Sequence, residues 1–347
     1  MPIRNAVKRA VITGGLEFAH LAERAGLMTS ARGMGAIFTL HHVRPKVEHG
    51  FDPNAHLEIT PEFLDAAIDE LRAEGYQFVA LADMPARMAV ARPGERFAAF
   101  TLDDGYRNNA VHAQPVFTRQ KVPFTVFVAP GLSCKTHSIW WETLAELLRA
   151  LPHLEFDFGS GPVTMPLSTP FQKQAAFARF AAFIQTGTDE ADAVARLDVA
   201  AHRHGVDPAA LTDRLVMGEP EVKSLALNPF ATIGAHTVSH RALARLDEAE
   251  ARREMDESAG RIAALTGARP ETFAYPYGDR ASVSPREHRL ARDLGFRVAV
   301  TTEPGTLSPR SFDTATALPR ISLNGLYQKR KYVGALASGI PFRLMRR

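Results

Sequence analysis

The sequence predicts an α/β fold: a parallel sheet or barrel covered by helices, with a mostly helical lobe inserted into it. Two observations carry this. Apolar runs of strand length alternate with amphipathic stretches of helix length over most of the 347 residues, the pattern of strands joined by crossover helices. From Trp140 to about Val222 that rhythm breaks, and the segment is too long for one crossover.

The first thirty-odd residues, with Arg4, Lys8 and Arg9 ahead of "AVITGGLEFAHLAERAG", read as one or two short helices. Glu17 and His20 interrupt the apolar run too early for a secretory core. "AIFTLHHV" is the first strand. In "TPEFLDAAIDELRAEG", Thr60 can cap and Pro61 suits the first turn, while Phe63, Leu64, Ala67, Ile68 and Leu71 form one apolar face that Gly75 closes. Further strands are expected in "YQFVAL", "RFAAFTLD", "VPFTVFVAP", "FATIGAH", "TFAYP", "FRVAVTT" and "ALPRISL". Two amphipathic helices, "DEAEARREMDESAGRIAALTG" and "PREHRLARDLG", lie between the later ones. The lobe holds "WWETLAELLRAL", a hairpin-like piece around "LEFDFGSGPVTM" and helices such as "DEADAVARLDVAAHRHG". The expected organisation is therefore 1–35 helical, 36–325 barrel with the lobe at about 140–222, and 326–347 a basic tail.

Hydrophobic content of 46% and charged content of 23% are those of an ordinary globular protein. The net charge of +3 is small for this length, and no basic run is interleaved with aromatics, which argues against nucleic acid as a partner. The single cysteine, Cys134, excludes an intrachain disulfide and a cysteine-based zinc site. No apolar run is long enough to span a membrane, and the reading is a cytoplasmic protein. The tail carries Lys329, Arg330, Lys331, Arg343, Arg346 and Arg347 with no acidic residue. It reads as a solvated helix with a frayed end; as an alternative, such a segment supports peripheral contact with an anionic membrane at the inner surface.

Two stretches carry chemistry. In "FAAFTLDDGYRNN" a strand ends in two carboxylates and a glycine. Thr101 and Asp103 share one face of that strand and Phe100 and Leu102 the other, so Asp103 points into the barrel if the apolar pair faces the helices. Asp104 falls where strand becomes loop. In "IGAHTVSH", His236 and His240 are four apart, as on one side of a helical turn, and with one carboxylate they make a donor set for a divalent metal with open positions. Strand ends at the C-terminal rim of a barrel are where active sites are built.

"TLDDGY", "HTVSH" and "FAYPYG", in this order and spacing, resemble the first three motifs of the polysaccharide deacetylase family, also called the NodB homology domain or carbohydrate esterase family four. The match runs from about Ala36 to Asn324 apart from the lobe. The resemblance implies a distorted (β/α)7 barrel and metal-dependent removal of acetyl groups from N-acetylated sugars. It implies Asp103 as general base, Asp104, His236 and His240 as metal ligands, and the backbone N–H of Tyr277, after Pro276, as an oxyanion donor. Zinc is the first choice of metal, with cobalt, nickel or manganese fitting the same donors.

Two departures from the family pattern stand out. Ala274 occupies the place where many members have an arginine that orients the base; Arg320 in "LPRIS" is the first substitute and Arg280 the second. The family's late histidine acid is also missing, since the last histidine is His288, in a polar helical pattern. The biofilm poly-N-acetylglucosamine deacetylases, a circularly permuted branch, keep that histidine on the first strand in a Tyr-His-x-Val context, which "LHHV" resembles. Strand parity makes the same choice: Thr39 and His41 alternate with Phe38, Leu40 and His42, so His41 faces inward as the acid and His42 outward, where its loss should be mild.

The expected substrate is an N-acetylated poly- or oligosaccharide: chitooligosaccharide, exopolysaccharide or peptidoglycan. A deformylase or deacetylase of a lipid-linked amino sugar is the alternative, and a non-catalytic carbohydrate-binding relative is an alternative of another class. Trp140 and Trp141 are expected to pack the lobe rather than stack on sugar, His202 and His204 to be solvated, and Tyr106 to line the groove.

Overall fold

The computed structural model describes residues 2–187 and 189–345, with side chains from residue 7 onward. The side chain of Arg4, and Arg346 and Arg347 of the tail, lie outside the described residues.

Seven parallel strands close a barrel: β1 (Gly35–Leu40), β2 (Arg96–Leu102), β3 (Phe124–Val128), β4 (Ala231–Ala235), β5 (Thr272–Ala274), β6 (Val298–Pro304) and β7 (Leu318–Ser322). β1 runs beside β2 from Gly35 opposite Phe97 to Leu40 opposite Leu102, and on its other side pairs Phe38 and Thr39 with Ile321 and Ser322 of β7, which completes the ring. A short strand, Tyr76–Phe78, adds to the first half of β2. The architecture is that of a NodB-type (β/α)7 barrel.

Side-chain parity divides the core in two. Phe38, Leu40, Phe100 and Leu102 point outward into the large cluster under the helices, where the Phe38 and Phe100 rings stack at 5.3 Å. Ile37, Phe97, Ala99, Phe127, Ala274, Val300 and Leu318 fill the interior. Each large apolar side chain buried this way contributes about 1.5–3 kcal/mol. The inner positions nearest the C-terminal rim are polar instead: Thr39, Thr101 and Arg320. That switch marks where the packed core ends and the pocket begins.

Between β3 and β4 the chain leaves the barrel for the helix Trp140–Ala150, the antiparallel hairpin His153–Asp157 with Pro162–Pro166, and the helices Pro170–Thr186, Glu190–Arg203, Pro208–Leu215 and Glu219–Ala226. Leu144, Leu147, Leu148, Phe156, Phe180 and Leu197 give this segment its own core, which continues to Tyr106 and Ala129 on the barrel rim.

The termini differ from expectation. The N-terminal segment is one long helix, Pro2–Arg24, followed by a short turn. The tail is not a solvated extension: its helix Arg330–Ala337 buries Tyr332, Val333, Ala335 and Ala337. Two of its cations are matched, Lys331 with Glu17 at 2.5 Å and Arg330 with Glu70 at 2.5 Å.

Candidate active site

At the C-terminal rim, Asp103 follows β2 directly and its N–H donates to Leu40 O at 3.0 Å, which pins it beside β1. The chain then turns sharply, with Asp104 at φ +70° and Gly105 at +67°. This swing separates two adjacent carboxylates into two jobs.

Asp103 meets a buried arginine. Arg320 Nη1 donates to Asp103 Oδ1 at 2.8 Å and Nη2 to Oδ2 at 2.7 Å. The guanidinium, 1% exposed, is held by further bonds to Thr101 Oγ1 at 3.1 Å and Thr301 O at 2.8 Å. Burial pushes the Asp103 carboxyl up, but Arg320, joined by His236 and His41, outweighs it and holds the group below the ordinary value. Arg280, by contrast, is 89% exposed and pairs with Glu303. The geometry selects Arg320 as the partner of Asp103.

Asp104 faces the two histidines. Its Oδ1 lies 3.4 Å from His236 Nε2 and 3.2 Å from His240 Nε2, and all three residues are buried. The spacing of four does not produce a helical turn here. His236 comes directly after β4, and His240 ends a loop in which Thr237 and His240 sit at φ +58° and +60°. Thr237 Oγ1 accepts from His240 N at 2.9 Å, and Glu254 accepts from Val238 N, Ser239 N and Ser239 Oγ at 2.8, 2.9 and 2.7 Å. His236 Nδ1 donates to Ala274 O at 2.7 Å, which leaves the Nε2 lone pair aimed at Asp104. Asp104 Oδ1, buried, satisfies no geometric hydrogen bond. A buried carboxylate oxygen between two imidazole nitrogens, with the tautomer of one fixed from behind, fits a divalent cation.

His41 stands on the inner face as parity requires, with Nε2 4.0 Å from Asp103 Oδ2. Burial pushes its imidazole down, opposed by the nearby Asp104 and Asp103 carboxylates. His42 faces away from the pocket yet is fully buried. It lies against the Tyr106 ring at 3.5 Å between centroids, beside Asn108 at 2.7 Å and Glu142 at 3.5 Å. Its loss should therefore lower stability, because it sits in the contact between barrel and lobe, whatever its effect on turnover.

Tyr277 occupies the turn after β5 at φ +59°, and Gly278 follows at +66°, where a Cβ would stand 2.7 Å from Thr302 N. The Tyr277 hydroxyl donates to Glu190 Oε1 at 2.7 Å and accepts from Trp140 Nε1 at 2.9 Å. Among the described residues, four of the seven non-glycine residues with positive φ are Asp104, Thr237, His240 and Tyr277. Strain of this kind concentrates at functional sites.

His41, Asp103, Asp104, His236, His240 and Tyr277 line one cavity of about 490 Å³, with Trp140, Trp141 and Phe177 as its lobe-side wall. The tryptophans thus do both things, packing the lobe and facing the pocket; the Trp141 ring is 4.9 Å from that of His240. Tyr106 does not line the groove: it is buried and accepts from Trp141 Nε1 at 2.7 Å. His202 and His204 are exposed, and His288 packs on Tyr275 away from the site. Sequence reasoning missed Glu190 and Glu254. Glu254 is one of several acids on a charged helix and Glu190 opens another, so neither carries a distinguishing local signal.

A NodB-type barrel with a buried carboxylate–arginine pair beside an Asp–His–His set defines a hydrolase class. The chain belongs to the polysaccharide deacetylase family: that family's model matches residues 91–299, which spans β2 to the start of β6 and leaves His41 and Arg320 outside. Its enzymatic class is that of a polysaccharide N-deacetylase. Among solved structures, the chain is similar to the deacetylase PplD of Streptococcus pyogenes in complex with acetate, at 16% identity and a TM-score of 0.54, over 84% of this chain and 92% of that one. It is similar to IcaB of Ammonifex degensii at 16% identity and 0.54, over 89% and 97%. It is also similar to a polysaccharide deacetylase of Bacillus cereus at 14% and 0.53, over 88% and 68%. No curated protein matches the chain.

Proposed function

We propose that the protein hydrolyses the N-acetyl group of amino sugars in a poly- or oligosaccharide, with Asp103 as general base and His41 as general acid. The observation that supports this most is the bidentate Arg320–Asp103 pair beside the Asp104, His236 and His240 donor set. A divalent cation held by those three residues would polarise the amide carbonyl and acidify the attacking water. Zinc is the first choice, with cobalt, nickel and manganese fitting the same donors.

Each step falls to a residue of this chain. Water attacks the carbonyl carbon and Asp103 takes its proton, oriented by two guanidinium N–H groups. The oxyanion of the tetrahedral intermediate faces the Tyr277 backbone N–H, a contribution typically worth 10²–10³ in rate. The C–N bond then breaks as His41 delivers a proton to the nitrogen, which leaves as the amine while acetate stays behind. A purely carbohydrate-binding relative would have no use for a buried base with its own arginine.

The test is Asp103→Asn, assayed for acetate release from N-acetylglucosamine oligomers and for metal content. Retained metal with turnover lowered at least 100-fold is expected; full activity would overturn the mechanism. Measuring acetate against formate release over chitooligosaccharide, peptidoglycan and lipid-linked substrates identifies the acyl group and acceptor.

A further inference from the structure

The termini build a second concave feature that this chemistry does not use. The helix Pro2–Arg24 buries Leu16, Ala19 and Ala22 against the body, while Val7, Val11, Phe18 and Leu21 form an opposite stripe, each more than half exposed. Their spacing of four, seven and three puts them on one side of the helix. Beside this helix, an open apolar groove of about 460 Å³ runs past Leu16, Phe63, Val333, Leu336 and Phe342. Its size is that of a ligand site, roughly 300–1,000 Å³.

One residue joins the groove to the catalytic pocket. Ser322, the last residue of β7 and two beyond Arg320, lines both. The chain after it is tied to the same rim, since Leu323 N donates to Thr39 O at 3.1 Å and Gly325 N to His56 O at 3.2 Å. The groove and the catalytic pocket therefore meet at one shared wall on the rim. A second copy of the chain or a docking peptide would cover the apolar face without needing that junction. An amphiphile with a sugar head needs both halves.

We propose that the groove takes the hydrocarbon chain of a lipid-linked N-acylated amino sugar, whose sugar passes Ser322 into the catalytic pocket. The identity of the head group rests on the deacetylase reading above; the hydrocarbon site does not. The exposed stripe then lies on the bilayer that supplies the lipid. Exposed Lys8 and Arg9 on the same helix suit an anionic surface. No described helix is long and apolar enough to cross a membrane, so the contact is one of lying on the surface.

Gly15 lines the groove, and a Cβ there meets nothing within 4 Å, so Gly15→Trp fills the space without a clash at its root. Val11→Asp, at an exposed position, places a charge at the mouth. The full-length protein is assayed on N-acetylglucosaminyl diphosphoundecaprenol in phosphatidylglycerol–phosphatidylcholine vesicles and on the water-soluble N-acetylglucosamine tetramer. Binding of dansyl-labelled undecaprenyl phosphate, which has no sugar, is read by fluorescence without any turnover. The expected result is saturable dansyl-lipid binding that either variant weakens at least tenfold. An equal fall in kcat/KM on the lipid-linked substrate, with the tetramer unaffected, should accompany it. Lipid binding with no hydrolysis of any N-acyl sugar would sink the deacetylase reading and leave the groove standing. Hydrolysis of the tetramer with no dansyl-lipid binding would overturn the groove, as would a wild-type dimer in sedimentation that Val11→Asp disperses.

Discussion

Replacing Arg320 with methionine removes a cation that sits 1% exposed and makes four hydrogen bonds, two of them to Asp103. Methionine fills similar length but leaves a buried carboxylate without its partner. Breaking a buried ion pair on one side costs about 3–5 kcal/mol, a large part of a domain's typical stability of roughly 5–15 kcal/mol. Arg320→Lys keeps the charge, loses the two-pronged geometry and should cost less. The pH dependence follows from the sign of the shift. In the native protein burial raises the Asp103 carboxyl, and Arg320, with His236 and His41, lowers it further than burial raises it. Its pairing thus contributes stability above the ordinary value of about 3.8, lost as pH falls through the lower folded value. Without Arg320 only the smaller pull of His236 and His41 opposes burial, and the carboxyl titrates at higher pH.

The assays are urea unfolding at several pH values and the pH profile of kcat/KM. Arg320→Met should lose about 3–5 kcal/mol near neutral pH, fall roughly 100-fold in kcat/KM through misplacement of the base, and show its acid limb at higher pH. A double-mutant cycle with Asp103→Asn should return a coupling well outside the about 0.5 kcal/mol expected of independent sites. Arg280→Ala, on an exposed pair, should do nothing. An Arg320→Met protein with kcat/KM within threefold of wild type and an unmoved acid limb would refute the assignment of Arg320 as the residue that positions the base.

Three further outcomes are expected. His41→Ala should remove most turnover while keeping fold and metal, whereas His42→Ala should unfold more easily by about 2–4 kcal/mol, because it opens a cavity and strips a neighbour from buried Glu142; equal stability of the two variants by urea titration would contradict this. Burial pushes the Glu254 carboxyl up, but Ser239, Val238 N–H and Arg241 together hold it below about 4.5, so its contribution is complete above that value and fades as pH falls through the folded one. Glu254→Gln should therefore weaken cobalt binding at neutral pH, read in the visible spectrum, and flatten the acid end of the stability profile. Glu190→Ala frees the Tyr277 hydroxyl and Ala242 N, bonded to it at 2.7 and 3.1 Å; kcat should fall more than KM rises, with Glu190→Gln recovering part, and the reverse split would remove Glu190 from the oxyanion side of the site.

The barrel and half of the site were legible because strands impose a period of two. Thr39 and His41 on β1, and Thr101 and Asp103 on β2, follow from alternation once Phe38, Phe100 and Leu102 are assigned to the helices. The composition of "PEFLDAAIDELRA" likewise dictates its helix, whose cap is Thr60 Oγ1 accepting from Phe63 N at 3.1 Å. Alternation says nothing once the strand ends. Asp104, Thr237, His240 and Tyr277 lie in left-handed turns; aspartate and histidine enter that region more readily than most residues, but the preference is too weak to announce these turns, and threonine and tyrosine lack it. A spacing of four therefore suggested a helical turn where there is a loop stapled by Glu254. Burial of Tyr106 and His42 was illegible for another reason: what covers them is the helix Trp140–Ala150, far along the chain, and exposure at a barrel rim depends on what is inserted above it. The basic tail looked free because its acidic partners, Glu70 and Glu17, are 260 and 314 positions away.

The same dependence makes the lobe part of the active site rather than an appendage. It contributes Trp140 and Trp141 to the pocket wall, Glu142 to the back of β1's end, and Glu190 to the Tyr277 hydroxyl and the loop after His240. These four residues reach three separate rim segments, those after β1, β4 and β5. The segment after β4 is held in part by Thr237 and Glu254, and the lobe adds a tertiary constraint at all three segments that local preference lacks. Strain at Tyr277 and His240 persists only where the surroundings over-determine the backbone, and here part of the surroundings is an insertion between β3 and β4. Chains that share this barrel but replace the lobe would have to brace the oxyanion turn by other contacts, and the shape of the pocket would change with the brace.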